Sequence, residues 1–343
     1  RSFDELSRHQ TSIPRVGLPM RKANMFKTLL TSLFAAACVL PAAALDLELS
    51  TGKDPGLRVL TAKEAPEYFG RGLPMGPSAL HFNGSSIWAI DSIAGRLVEH
   101  DRNGNELRAI AVPGGEKLVI ADFAIENASD GKPDAFWAIG SEMPEVIKIS
   151  ADGKVLASFS ASLSMPAQIA LLPQNRIAII DTGLSLIAAF DETGHELWRQ
   201  PCIGKGFVAE TNGDILFLTG KGEEVALCRR NSLSGKVEEI CELEVTPDAN
   251  PFLLTMNGSN EIYFAFHALS EESGEYSCNI CRLSLAEKTM ASISTPFPAA
   301  FINRVVVNDR QKLYLVSFIE ENGRYILRLH EFADEMLLEA SQG

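Results

Sequence analysis

The sequence predicts an all-β protein built as a six-bladed β-propeller of four-stranded antiparallel blades. Three observations lead there. Six short apolar β-type runs begin at Ile87, Phe136, Ile177, Ile215, Ile262 and Leu313, spaced by 49, 41, 38, 47 and 51 residues, and propeller blades recur every ~40–50 residues. A turn signal precedes each run: Asn83-Gly84, Asp130-Gly131, Gln174-Asn175, Asn212-Gly213, Asn257-Gly258 and Asn308-Asp309. Downstream, Gly104, Gly153, Gly194 and Gly235 mark hairpins at intervals of 49, 41 and 41 residues, an independent record of the same period.

The chain divides in order. Residues 1–19 are polar, lack an initiating Met and stand upstream of a complete export signal, so they read as a non-native leader. From Met20 the chain has a basic start (Arg21, Lys22, Lys27), an apolar run from Leu29 to Leu40, then Pro41 and alanines 42–44. This is the pattern of a signal peptide over 20–44 with cleavage after Ala44. The apolar run is shorter than the ~20 residues a membrane span needs, and no later stretch approaches that length. A second reading takes Ala35 to Cys38 as a lipoprotein box with Cys38 acylated, although its first position is usually Leu. Either way the protein is exported, periplasmic or secreted, with no transmembrane span once the signal is removed.

Residues 45–77 form an extension expected to lie across the last blade and close the ring, blunting an exposed edge. The run Glu335–Ala340 is the alternative source of that edge. The propeller proper occupies 78–343, with blades at 78–115, 116–162, 163–201, 202–246, 247–297 and 298–340. Each holds an upstream strand such as Ser78–Phe82, Gln168–Leu172 or Asn303–Val307, the apolar run, an alternating strand and a fourth strand after the glycine hairpin.

Composition excludes some functions. Hydrophobic residues make up 46% and charged residues 22% of the 343, the balance of a packed globular protein. The formal charge is −13, and removing 1–44 leaves 25 basic and 42 acidic residues, a net of −17. Such a charge disfavours nucleic acid and anionic membrane surfaces as partners and allows cationic ligands or metal ions.

Five cysteines remain after cleavage: Cys202, Cys228, Cys241, Cys278 and Cys281. An oxidising compartment permits two disulfides with one thiol left over, in a connectivity that spacing leaves open. Cys278 and Cys281 have redox-motif spacing but sit in a strand-like run. Three strand steps put their Cα atoms ~10 Å apart, beyond the ~7 Å limit for a disulfide.

The segment Gly76-Pro77-Ser78-Ala79-Leu80-His81-Phe82, followed by Gly84, Ile87–Asp91, Arg96–Val98 and Asn103-Gly104, resembles an NHL-type repeat. The likeness extends over blades one to three; blades four to six keep only the strand rhythm. It implies a propeller that binds partners or small molecules. Related six-bladed propellers include the calcium-dependent lactonases of the gluconolactonase family, whose metal is held by Glu, Asn and Asp near the starts of innermost strands. At the corresponding places this chain offers Ser78, Asp122, Gln168, Gly206, Phe252 and Asn303, and the Glu expected beside Gly76-Pro77 is absent. Asp122, Gln168 and Asn303 are therefore the candidate oxygen ligands, for calcium if any ion, with water or backbone completing the six or more oxygens it takes. Their alternative role is to hydrate the channel. Asp191 to Trp198 resembles a quinoprotein-type repeat in one blade only and reads as hairpin chemistry.

Other candidates are positional. Asp91 and Asp181 end the second strands of blades one and three, where an Asp either faces a ligand or bonds turn amides. The loops after the second strands of later blades are acidic, at Glu223-Glu224, at Glu271 and Glu272 with Glu275, and at Glu320 and Glu321. They share one face and form either a negative rim for cations or a basic protein segment, or solvated loop tips. The longest loop, around His267–Tyr276, is the most suited to partner contact. Gly204, Gly206 and Ala209 match a dinucleotide fingerprint but precede strand and turn signals, not a helix. No nucleophile elbow or zinc-protease motif occurs, and His81, His100, His195, His267 and His330 are scattered. Trp88 and Trp137, with Phe217, Tyr263 and Tyr314 at or near the same slot, read as inter-blade packing.

The expected function is thus an exported, monomeric, non-enzymatic propeller binding a protein or small-molecule ligand on one face. The alternatives are a metal-dependent lactonase-like hydrolase or lyase at the channel, and a lipid-anchored envelope scaffold.

Overall fold

Alternating apolar and polar residues in Ala44–Thr51 make a half-buried strand, β1, and a short second strand, β2 (Leu57–Val59), lies parallel to it. The computed structural model describes residues 44–51, 57–59, 76–115, 119–140, 145–221, 224–244, 252–256, 261–269, 276–286, 289–295, 305–307, 313–331 and 338–339. The leader, the export signal and Cys38 lie outside them, as do Asn303, Glu271 and Glu272.

Six antiparallel meanders follow. Blade one holds β3 (Leu80–Asn83), β4 (Ser86–Asp91), β5 (Arg96–His100) and β6 (Glu106–Ala111). Blade two holds β7 (Ile120–Asn127), β8 (Pro133–Gly140), β9 (Glu145–Ser150) and β10 (Val155–Ser160). Blade three holds β11 (Pro166–Leu172), β12 (Arg176–Asp181), β13 (Leu186–Phe190) and β14 (Glu196–Pro201). Blade four holds β15 (Ile203–Ala209), β16 (Ile215–Lys221), β17 (Glu224–Arg230) and β18 (Val237–Glu244). Blade five holds β19 (Phe252–Met256), β20 (Glu261–Leu269), β21 (Tyr276–Ser284) and β22 (Thr289–Thr295), and blade six holds β23 (Val305–Val307), β24 (Leu313–Glu321) and β25 (Arg324–Glu331). The protein is an all-β, six-bladed β-propeller.

Blade six takes its fourth strand from the start of the chain. β1 pairs antiparallel with β25 from Ala44 opposite His330 to Leu49 opposite Tyr325, and β2 adds a fifth strand outside it. The Arg328 guanidinium holds Asp46 through Nε at 2.7 Å and Nη2 at 2.8 Å, which fixes this register. Gly104, with φ +85°, belongs to blade one's outer hairpin and lies against the Asp46 carbonyl, where a Cβ would overlap it. The corresponding Gly153 packs on Ile110 of β6, so β1 occupies the fourth-strand place. At the other end of the chain, β26 (Leu338–Glu339) pairs with β22 and gives blade five a fifth strand.

Apolar cores fill the gaps between blades. Blades one and two share Trp88, Ile90, Leu97, Phe123, Phe136 and Ile147, and blades six and one share Leu47, Leu327, Leu329, Leu80, Ile87 and Val98. Trp88 lies 4.6 Å from Phe136 across its gap, ring centroid to centroid, and Trp137, Phe217 and Tyr263 are equally buried. Burial of such side chains at ~1.5–3 kcal/mol each is the main force joining the blades. No disulfide involves Cys202, Cys228 or Cys241, whose thiols are free. Cys202 and Cys228 lie in the core between blades three and four, while Cys241 and Cys281 lie in the next one. Burial, then the nearby Asp181 carboxylate, pushes the Cys202 thiol up to about 12, so it stays protonated.

Candidate functional site

The first strand of each blade lines the centre of the ring, and near its head sits the polar series singled out in the sequence. These residues bond to the next blade. Ser78 Oγ donates to the Ile120 carbonyl at 2.6 Å, joining blade one to blade two. Asp122, 1% exposed, accepts from the Ile169 amide through Oδ2 at 2.9 Å, joining two to three. Gln168 joins three to four with two bonds at 3.0 Å, Nε2 donating to the Phe207 carbonyl and Oε1 accepting from the Phe207 amide. At the fourth position no side chain fits: a Cβ on Gly206 would overlap the Leu253 carbonyl of blade five. The series is a set of inter-blade clasps, each gripping the neighbour's backbone 39–47 residues on.

A histidine joins the series. His81 of β3 stacks edge-on to Phe123 at 4.7 Å and places Nε2 3.3 Å from Asp122 Oδ1, with its side chain 35% exposed. Asp122 thus has a protein contact on each oxygen, the Ile169 amide on Oδ2 and the His81 ring on Oδ1. Among the described residues no three His, Cys, Asp or Glu side chains converge as a metal cluster. His81 stands one step from Ala79-Leu80 in the repeat segment, but the alternation that puts it on blade two's side does not show that Asp122 meets it.

Asp91 and Asp181 are fully buried and organise turns. Asp91 accepts from the Ala94 amide at 2.9 Å and from Arg96 Nε at 3.1 Å. Asp181 accepts from four backbone amides, those of Ser164, Met165, Gly183 and Leu184. Because strands alternate in direction, the turn after the second strand and the crossover between blades emerge on one face, and Asp181 ties the two together. Through the clamp the Met165 and Leu184 amides share Asp181 Oδ1, and both side chains are exposed, at 58% and 47%.

Of the acidic loop residues singled out in the sequence, Glu320 and Glu321 are the ones whose exposure is described. Glu320 and Glu321 are exposed at the end of β24, and Glu321 pairs with Arg328 at 3.1 Å, joining the Asp46 cluster of the ring closure. His100, buried in β5 with Nδ1 unpartnered, has its pKa lowered by burial to about 4.

No protein-family profile matches the chain, and no curated protein matches it either. Solved structures do. A protein of Bacteroides fragilis named as a candidate exported protein aligns at 10% identity over 84% of this chain and 94% of its own, with a TM-score of 0.52. A member of the DUF4221 family from Bacteroides vulgatus aligns at 12% identity over 86% and 97%, with a TM-score of 0.51. A streptogramin B lyase aligns at 15% identity over 77% and 85%, with a TM-score of 0.49. At these identities the likeness is one of fold.

Proposed function

We propose that this chain is an exported β-propeller that binds a protein or small-molecule ligand on one face of the ring without chemistry of its own. The observation that carries this reading is the inner series, in which Ser78, Asp122 and Gln168 spend their polar atoms on the adjacent blades. The wall is used to hold the ring rigid. The binding face is the one bearing the blade crossovers, where Asp181 fixes the exposed Met165 and Leu184 in place before any ligand arrives. Export rests on the signal pattern of the sequence; cleavage after Ala44 would remove the first residue of β1 and leave Leu45–Thr51 as the closing strand. No helix of the described residues is long and apolar enough to cross a membrane.

One observation favours the hydrolase or lyase reading. His81, oriented by a buried carboxylate and half-buried on the inner wall, is the arrangement a general base uses. Capture from envelope extracts separates the two. The native protein should retain a ligand that Leu184→Asp loses and His81→Gln keeps; loss with His81→Gln alone would move the site to the channel.

A further inference from the structure

We propose that His100 is an acid latch on the ring closure: a proton on its imidazole loosens β1 from blade one while the blades themselves stay folded. His100 ends β5 and is 3% exposed. It pairs opposite Ile87, and opposite residues of an antiparallel pair point to one face. Ile87 faces the gap between blades six and one, in the core with Leu47 of β1 and Leu327 and Leu329 of β25. His100 therefore points towards the closing strand. The hairpin that follows it is seated there too, since Gly104 lies against the Asp46 carbonyl and the Leu47 side chain.

The strands packed on this gap turn apolar side chains to it. On β1 the alternation directs Leu45 and Leu47 inward and leaves Asp46 and Glu48 exposed on the other face, where Arg328 holds Asp46. β25 contributes Leu327 and Leu329, and its Glu331 is engaged by the Tyr314 hydroxyl of β24 at 3.5 Å. β2 contributes Leu57 and Val59 on either side of Arg58. Within blade one, Glu106 stands opposite on β6 and is exposed, and Arg102 is stacked on Phe82. Asp101 and Arg96 act on the imidazole in opposite senses, and Nδ1 has no partner. Burial therefore lowers the pKa from 6.5 to about 4, and the backbone bond at Val98 and the Asp101 charge offset only part of it. Above pH 6.5 the imidazole is neutral whether the gap is closed or open. As pH falls from there towards 4, the hydrated imidazole of the open form takes the proton first, so opening gains. β1 is the wall that can yield: it pairs with β25 from the far end of the chain with no hairpin joining them, so it lifts without unfolding a blade.

Hydrogen exchange of residues 45–343 at pH 7 and pH 4.5, corrected for intrinsic rates, reads this opening strand by strand. Amides of 45–49 and 325–329 should exchange about fifty-fold faster at the lower pH, the factor set by a pKa of about 4 closed against 6.5 open. Amides of β12 in blade three should change by less than about threefold. His100→Leu, and independently His100→Gln, should abolish the response of β1. Asp46→Asn removes the nearest carboxylate of β1 and should speed exchange there at both pH values while leaving the response in place. Matching far-ultraviolet circular dichroism at pH 7 confirms that each variant is folded. Equal acceleration in every blade, an unresponsive β1, or a response that persists in both His100 variants would overturn the proposal. So would a response lost in Asp46→Asn with His100 intact, because the carboxylate would then be the titrating group.

Discussion

Replacing Asp122 by Ala tests the clasp at its most buried member. The change strands the Ile169 amide, donated to Oδ2 at 2.9 Å in a site where Asp122 is 1% exposed, and frees His81 from its 3.3 Å partner. An unsatisfied buried donor costs ~1–3 kcal/mol, and losing the charge-assisted bond brings the total to about 2–4 kcal/mol. For a domain of this size each kcal/mol moves the melting temperature by ~2–4 °C, so the melting temperature followed by circular dichroism should fall by about 4–16 °C. Asp122→Asn keeps a carbonyl oxygen for the Ile169 amide and should lose about half as much. The penalty should be the same with and without a chelator, since its origin is a bond between blades. A shift below about 1 °C for Asp122→Ala, or a penalty that vanishes in chelator, would refute the reasoning.

Arg328→Ala removes both bonds to Asp46 and the pair with Glu321. Since Asp46 and Glu321 are over one-third exposed, the loss should be only about 1 kcal/mol, with faster proteolysis at the N-terminal strand as the sharper readout. His100 has a folded pKa near 4 against 6.5 unfolded, so the unfolded chain protonates first and stability falls as pH drops from about 6.5 towards 4. The fall should reach about 3 kcal/mol and be largely absent in His100→Leu, measured by denaturant melts across that range. Gly206→Ala drives a methyl into the Leu253 carbonyl and should cost about 1–3 kcal/mol in the same melts. Cys202 should resist thiol reagents until denaturant is added, because burial keeps it protonated.

The blade rhythm was legible because the second strands of the early blades are buried apolar runs, as in Ser86–Asp91, where all six residues are buried, and Arg176–Asp181, where five of six are. The polar series was legible as positions, since Ser78, Asp122 and Gln168 recur at strand heads, but its purpose was not. Periodicity assigns a residue to one face of a strand; it does not say that the Asp122 carboxylate meets an amide 47 residues away. Asp181 reads only as an Asp before a turn, and its bonds to Ser164 and Met165 depend on a crossover from the previous blade. Ring closure shows the same limit at greater distance. The alternation in Ala44–Thr51 marks a strand, yet its partner lies some 280 residues away at Tyr325–His330, and sequence left two candidates for that edge. The structure uses β1 for blade six and β26 for blade five.

The most direct test of the central claim is a calcium titration of residues 45–343, read by thermal unfolding, with elemental analysis of the same sample. An ion that binds the folded state raises the melting temperature in proportion to the logarithm of its excess over Kd. With Asp122 and Gln168 engaged between blades, the account predicts no stoichiometric ion and an unchanged melting temperature. One bound ion per chain with a rising melting temperature, abolished by Asp122→Asn, would show that the inner wall is a metal site and contradict it.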